Sequence, residues 1–218
     1  MSAIQLPEHH VAKPRLRGWL HAGTFPVAVI AGLVLIILAP AGRARIGAVV
    51  FVITAAMLFG TSAVYHRGNW SQKVHQVLKR LDHSNIFLII AGTYTPFALL
   101  LPPDQARRML TIVWAGAIIG VLFRVFWLSA PRWLYVVLYL AMGWAAVGWL
   151  PQFWANGGPL VVGLVGLGGV LYSAGAIAYA LKRPNPFPAW YGFHEVFHTC
   201  TILAAFSHFA AIALATFR

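Results

Sequence analysis

Apolar residues fall into seven runs, at about 19–39, 46–66, 82–101, 109–129, 133–150, 160–181 and 193–217. At about 1.5 Å per helical residue, such runs are of the length needed to cross the roughly 30 Å hydrocarbon core of a bilayer. Proline, glycine and basic residues punctuate the gaps: Pro40-Ala41-Gly42-Arg43, Pro102-Pro103-Asp104, Pro131-Arg132, the stretch 151–159, and Lys182-Arg183-Pro184. These residues end helices or turn the chain. The pattern predicts an all-α polytopic membrane protein, a bundle of seven transmembrane helices over 19–218 behind a short tail at 1–18. One segment between the second and third runs differs. Over 69–81, Trp70, Val74, Val77, Leu78 and Leu81 recur at helical spacing while Gln72, Lys73, His75, Gln76, Lys79 and Arg80 fill the other face. That predicts an amphipathic helix lying on the membrane surface.

Composition agrees with the pattern. Of 218 residues, 60% are hydrophobic and only 9% charged, with mean hydropathy +0.76, whereas about a quarter of a soluble domain is charged. Seven spans leave no room for a separate soluble domain. The one cysteine, Cys200, excludes an internal disulfide. A net charge of +12 would suit a nucleic-acid binder, but the basic residues come in small groups between apolar runs, as topology anchors do. Nucleic acid is therefore not an expected partner. Lys13, Arg15, Arg17, Arg67, Lys73, Lys79, Arg80, Arg132, Lys182 and Arg183 fall on one side, against Arg43, Arg45, Arg107, Arg108 and Arg218 on the other. The imbalance predicts a cytoplasmic N-terminus and an outward C-terminus. Arg124, late in the fourth run, either snorkels to the cytoplasmic face or pairs within the bundle. The first eighteen residues carry Pro7, Glu8, Lys13, Pro14, Arg15 and Arg17, unlike a signal peptide, so the first span is expected to be retained.

Ionisable side chains are costly in hydrocarbon, and those that persist usually face the bundle interior. With the predicted topology, Ser62 and His66 at the end of the second run meet Asp82 at the start of the third and His194 and His198 at the start of the seventh. Residues four apart share a helical face, so His194 and His198 can reach one ion. Ser62 and His66 have the same spacing. Three imidazoles and one open position match a catalytic zinc. Asp82 is then placed to take a proton from a metal-bound water, whose pKa the ion lowers towards about 7, and Ser62 to orient that water or a substrate carbonyl. Each residue also has a plainer role: headgroup contacts for the histidines, a helix N-cap for Asp82, small-residue packing for Ser62. Their convergence at one depth favours the metal.

The remaining polar residues divide differently. His83 projects about 100° away from Asp82 around the helix and is left out of the site. His9, His10, His21 and His75 are expected to contact solvent or headgroups, and His208, about 15 Å beyond His198, to be a buried, hydrogen-bonded side chain. Cys200 faces away from the histidine pair and reads as a small buried hydrophobe. His194-Glu195-Val196-Phe197-His198 matches the metalloprotease string H-E-x-x-H. No acidic residue follows it, so Glu195 is expected to be supporting or interfacial rather than a general base.

With Ser62-Ala63-Val64-Tyr65-His66, Asp82 and His194-x-x-x-His198 in a seven-span frame, the chain resembles the hemolysin III family of the progestin and adipoQ receptor group. The likeness runs from Arg17-Gly18-Trp19-Leu20-His21 to the last span. It includes Leu81-Asp82-His83-Ser84 and Ala91-Gly92-Thr93-Tyr94-Thr95-Pro96. The resemblance implies a bacterial member in the inner membrane, with Zn2+ held by His66, His194 and His198 near the cytoplasmic face, Asp82 as proton-handling partner and Ser62 as polar companion. The wider superfamily includes ceramidases, which implies zinc-dependent hydrolysis of a lipid amide or ester, with membrane lipids as partners. The alternative is a non-enzymatic protein with structural zinc, either a pore-forming hemolysin or a regulator of membrane lipid state. An intramembrane protease is the third reading.

Overall fold

The computed structural model describes residues 14–99 and 101–217. Most of the predicted tail, including His9, His10 and Lys13, lies outside them, as does Arg218. Among the described residues run seven α-helices: α1 (Trp19–Leu38), α2 (Arg43–Arg67), α3 (Gln72–Ala98), α4 (Pro103–Phe126), α5 (Arg132–Gly143), α6 (Leu150–Leu181) and α7 (Phe193–Thr216). A 3-10 helix, Ala145–Trp149, joins α5 to α6. Five helical stretches are long and apolar enough to cross a membrane: α1, α2, α4, α7 and the stretch Arg132–Leu181. The chain is an all-helical, multi-pass membrane protein.

Three local expectations are corrected. The segment 69–81 is not a separate surface helix, because α3 runs unbroken from Gln72 and residues 72–81 form its first turns. No proline interrupts the segment, so the helical hydrogen-bond ladder that starts at its N-terminal end continues through it into the rest of α3. Trp70, Val74, Val77 and Leu81 are nonetheless exposed, as a lipid-facing stripe would be. Asp82 consequently lies inside a helix and is not an N-cap. The run 133–150 is not one regular span: it divides into the 12-residue α5 and the five-residue 3-10 helix, together roughly 28 Å long. The hinge at 151–159 is a kink within α6 at Gly158, where φ of 73° precedes Pro159; proline cannot continue the preceding hydrogen-bond ladder.

The outside of the bundle is apolar and the inside carries polar groups. Ile37, Ile119 and Phe126 are 72%, 67% and 83% exposed, whereas Arg124, Glu195 and His198 are buried. Lipid is as apolar as a core, so burial no longer sorts side chains by hydrophobicity, and packing and internal hydrogen bonds hold the helices together. Neighbouring pairs are α1/α2, α2/α3, α3/α4 and α6/α7; α5 lies against α3, α4 and α6, and α7 also reaches α1, α2 and α3. Polar struts cross these seams: Asn85 donates to the Met57 carbonyl (2.9 Å), Tyr139 to the His83 carbonyl (3.0 Å) and Ser207 to the Leu164 carbonyl (2.8 Å). His208 contacts the Val165 carbonyl at 3.1 Å, as expected for a buried, bonded histidine.

Small residues set the closest approaches. A Cβ on Gly47 would lie 2.7 Å from the Pro96 Cα, so the α2 and α3 backbones touch there. Gly163 has nothing within 4 Å. Gly47→Val is therefore expected to cost about 2–3 kcal/mol, since neither backbone can yield, while Gly163→Ala gains up to about 1 kcal/mol from reduced chain entropy in the unfolded state. Unfolding midpoints of the two variants in detergent check the contrast.

Candidate metal centre

Three helix ends and an early turn of a fourth helix meet at one end of the bundle: the C-terminus of α2, the N-termini of α1 and α7, and the third turn of α3. The N-terminal segment is stitched into place first. Arg15 and Leu16 amides donate to the Ala189 and Trp190 carbonyls (3.0 and 3.2 Å), and the Arg15 guanidinium sits 4.6 Å over the Trp190 ring. Gly18 then adopts φ of 80°, and a Cβ there would fall 2.8 Å from that of His66. Only glycine allows both the left-handed turn and this approach.

Against this frame the ligand atoms of His66, His194 and His198 all lie within 4.8 Å of one another. The Nε2 atoms of His66 and His194 face each other at 3.2 Å. Ligands bound about 2.0–2.1 Å from a tetrahedral zinc are separated by about 3.3 Å, so this pair already has the spacing of two ligands and the third needs only a small ring movement. Asp82 Oδ2 lies 3.8 Å from His66 Nε2. Ser62 is buried and lines the same cavity as Asp82, His194 and His198. The structure thus brings together all five residues predicted from sequence.

It also adds two that the sequence reading set aside. His21, expected at the surface, is 2% exposed, and its ring stacks on that of His198 with centroids 3.9 Å apart and planes 6° from parallel. An imidazole lone pair lies in its ring plane, so two rings face to face cannot aim at one ion. His21 is a wall that fixes the His198 ring. In α1, His21, Thr24, Gly32 and Leu35 are the buried positions and fall on one helical face, the face turned towards the bundle. His83, excluded by its 100° offset, lines the same cavity as Asp82 and hydrogen-bonds through Nδ1 to Arg124 at 2.6 Å. Arg124 accordingly pairs within the bundle and does not snorkel.

Glu195 is held on both oxygens. One is ion-paired with Arg17, and the other accepts the Gly192 amide at 2.9 Å, capping α7. Those bonds occupy the carboxylate in tying the N-terminal segment to α7, a supporting role rather than that of a base. Cys200 is half-buried and faces α6, where a Cβ on Gly175 would lie 2.8 Å from its own.

The cavity continues inward. A second, apolar space between α3, α5, α6 and α7 shares Ile86, Ile89, Tyr139, Tyr172, Ala176 and Phe197 with it. Outward, a wider mouth shares His83, Tyr135, Tyr179 and His194. A polar opening, an imidazole cluster and an apolar chamber therefore lie in sequence.

The family model described as "Haemolysin-III related" matches residues 9–209. A protein of Bacillus subtilis named "Hemolysin-3 homolog" is 34% identical over 146 residues, covering 66% of this chain and 68% of its own. "Hemolysin-3" of Bacillus cereus is 32% identical over 146 residues, 66% of each chain. The "Progestin and adipoQ receptor-like protein 1" of Caenorhabditis elegans is 27% identical over 185 residues, 75% of this chain and 42% of that longer one.

Because Arg17 and Glu195 are largely buried, removing one partner strands the other. Glu195→Ala is expected to lower the unfolding free energy by about 3 kcal/mol. Glu195→Gln, which can still accept the Gly192 amide, should lose less. Denaturant titration in detergent measures both.

Proposed function

Since the chain belongs to the haemolysin-III related family and gathers three imidazoles, a carboxylate and a hydroxyl at one point, we propose that it is a zinc-dependent hydrolase of membrane lipids. It sits in the bacterial plasma membrane as seven spans, with its N-terminus and the metal centre on the cytoplasmic side. The bond it cleaves is a lipid amide or ester. The observation that carries this reading is the spacing of the ligand atoms, all within 4.8 Å and one pair at 3.2 Å.

His66, His194 and His198 would hold the metal, leaving one of four tetrahedral positions open. Zinc when bound supplies a Lewis acid for a carbonyl oxygen and a more acidic water. The chain's own residues do the rest. Asp82, beside His66, takes the proton from the attacking water and returns it to the leaving amine or alcohol, the two halves of general base and general acid action. Ser62 donates from α2 to the group Asp82 holds or to the substrate carbonyl. His21 keeps the His198 ring from turning away. The apolar chamber receives the hydrocarbon chain, which excludes water from all but the reacting end.

Metal counted per chain in detergent-purified protein is expected to give about one zinc in the wild type and little in His66→Ala or His194→Ala. Asp82→Asn should keep the metal and lose about 10²-fold or more in turnover of a lipid amide or ester. A wild type free of metal after chelator-free purification sinks the proposal. Full activity in Asp82→Asn removes that residue's role, and metal loss that lowers only the melting temperature marks a structural ion.

A further inference from the structure

Among the described residues, the mouth outside the metal centre carries more positive charge than its carboxylates neutralise. Arg17, Lys79, Arg124 and Arg132 line an open space that also touches His66 and His194. Among the described residues, the one ion pair between a lysine or arginine and a carboxylate is Arg17 with Glu195. Asp82 is turned to His66, and Asp104 begins α4, about 30 Å along that helix from Arg124. Among the described residues, Lys79, Arg124 and Arg132 therefore face the mouth with no carboxylate partner.

Arg124 is the telling member. It is 1% exposed, and its Nε has no hydrogen-bond partner among the described residues. Its guanidinium touches His83 Nδ1 at 2.6 Å, two carbonyls at 3.4 and 3.5 Å, and the face of Tyr135 at 4.4 Å. All of these are neutral acceptors. A guanidinium removed from water is normally matched by an anion, because neutral contacts recover only part of its lost hydration. Arg132 stands across the mouth with one N–H bonded to the Tyr179 carbonyl (3.0 Å) and its plane against the Tyr179 ring, which leaves further donors of its fork unassigned. Two arginines and a lysine around one opening are the donor set for an oxyanion.

We infer that the mouth is a binding site for an anionic headgroup, a carboxylate or phosphate, borne on a hydrocarbon chain that passes the imidazoles into the apolar chamber. The inference rests on the hydrolase reading for the direction in which the chain threads, and it names the headgroup class of that substrate. The continuity of mouth, cavity and chamber through Tyr135, Tyr139, Tyr172 and Tyr179 gives such an amphiphile a single path.

The test uses the full-length protein in phosphatidylcholine nanodiscs, stripped of metal so that neither hydrolysis nor anion binding to zinc contributes. It is titrated with dodecyl phosphate, dodecanol and inorganic phosphate, and binding is read from the shift in unfolding midpoint. Dodecyl phosphate is expected to stabilise the wild type, dodecanol not to, and the double variant K79Q/R132Q to bind dodecyl phosphate at least tenfold more weakly. Weak binding of inorganic phosphate beside tight binding of dodecyl phosphate identifies a lipid headgroup as the source; equal binding of the two keeps the oxyanion site and assigns it to a free anion. Dodecanol matching dodecyl phosphate, or an unchanged affinity in K79Q/R132Q, overturns the inference. R124Q adds a third variant where it folds, and its failure to fold leaves the double variant as the deciding measurement. Because metal is absent throughout, headgroup binding and lipid hydrolysis succeed or fail separately.

Discussion

Within an apolar solvent every polar side chain that is carried inward must find its partner inside the protein. Water is not available to complete a half-made set of bonds, and an unmatched group costs several kcal/mol. In this bundle much of that pairing is made where helix ends come together, while Arg124 Nε stays without a partner among the described residues. His66, Asp82, His194 and His198 come from three helices, yet each lies within reach of another, and Glu195 secures the arrangement by tying Arg17 to the first turn of α7. The positions of α1, α2, α3 and α7 at this end all follow from satisfying that one cluster.

The same constraint explains how the site can be rigid without a soluble scaffold. Gly18 brings the chain against His66, and His21 then stacks on His198, so a helix with little buried surface contributes an aromatic wall at the centre. A ring held from behind has fewer orientations to choose from, which is how supporting contacts fix the direction of an imidazole. The Tyr139 bond to the His83 carbonyl and the Asn85 bond to the Met57 carbonyl fix α3 against α5 and α2, holding Asp82 at its depth.

Charge is distributed as carefully as shape. The imidazole cluster has Asp82 beside it, while of the four cations lining the opening only Arg17 has a carboxylate partner among the described residues. A cavity that is basic at one end and apolar at the other selects for molecules built the same way, because each end excludes the wrong part of the ligand.

What the sequence by itself determined was the all-helical membrane class and the close approach of His66, His194 and His198. Those follow from local rules: run length, helical spacing of four, and the cost of a histidine or aspartate in hydrocarbon. The H-x-x-x-H pair and the Ser62/His66 pair each lie on one helix, so their geometry is written in their spacing. What only the tertiary structure decided concerns relations between helices. The 69–81 segment could have lain on the surface, but it continues into α3, since no residue there breaks a helix and amphipathic spacing alone cannot tell a surface helix from the first turns of a longer one. His21 and His83 depended on which face of α1 and α3 turned inward, and that is set by contacts with His198 and Arg124, which stand far from them in the chain. The unmatched charge of Arg124 is visible only once α3, α4 and α5 have closed around it, because a charge is known to lack a partner only when all its neighbours are in place.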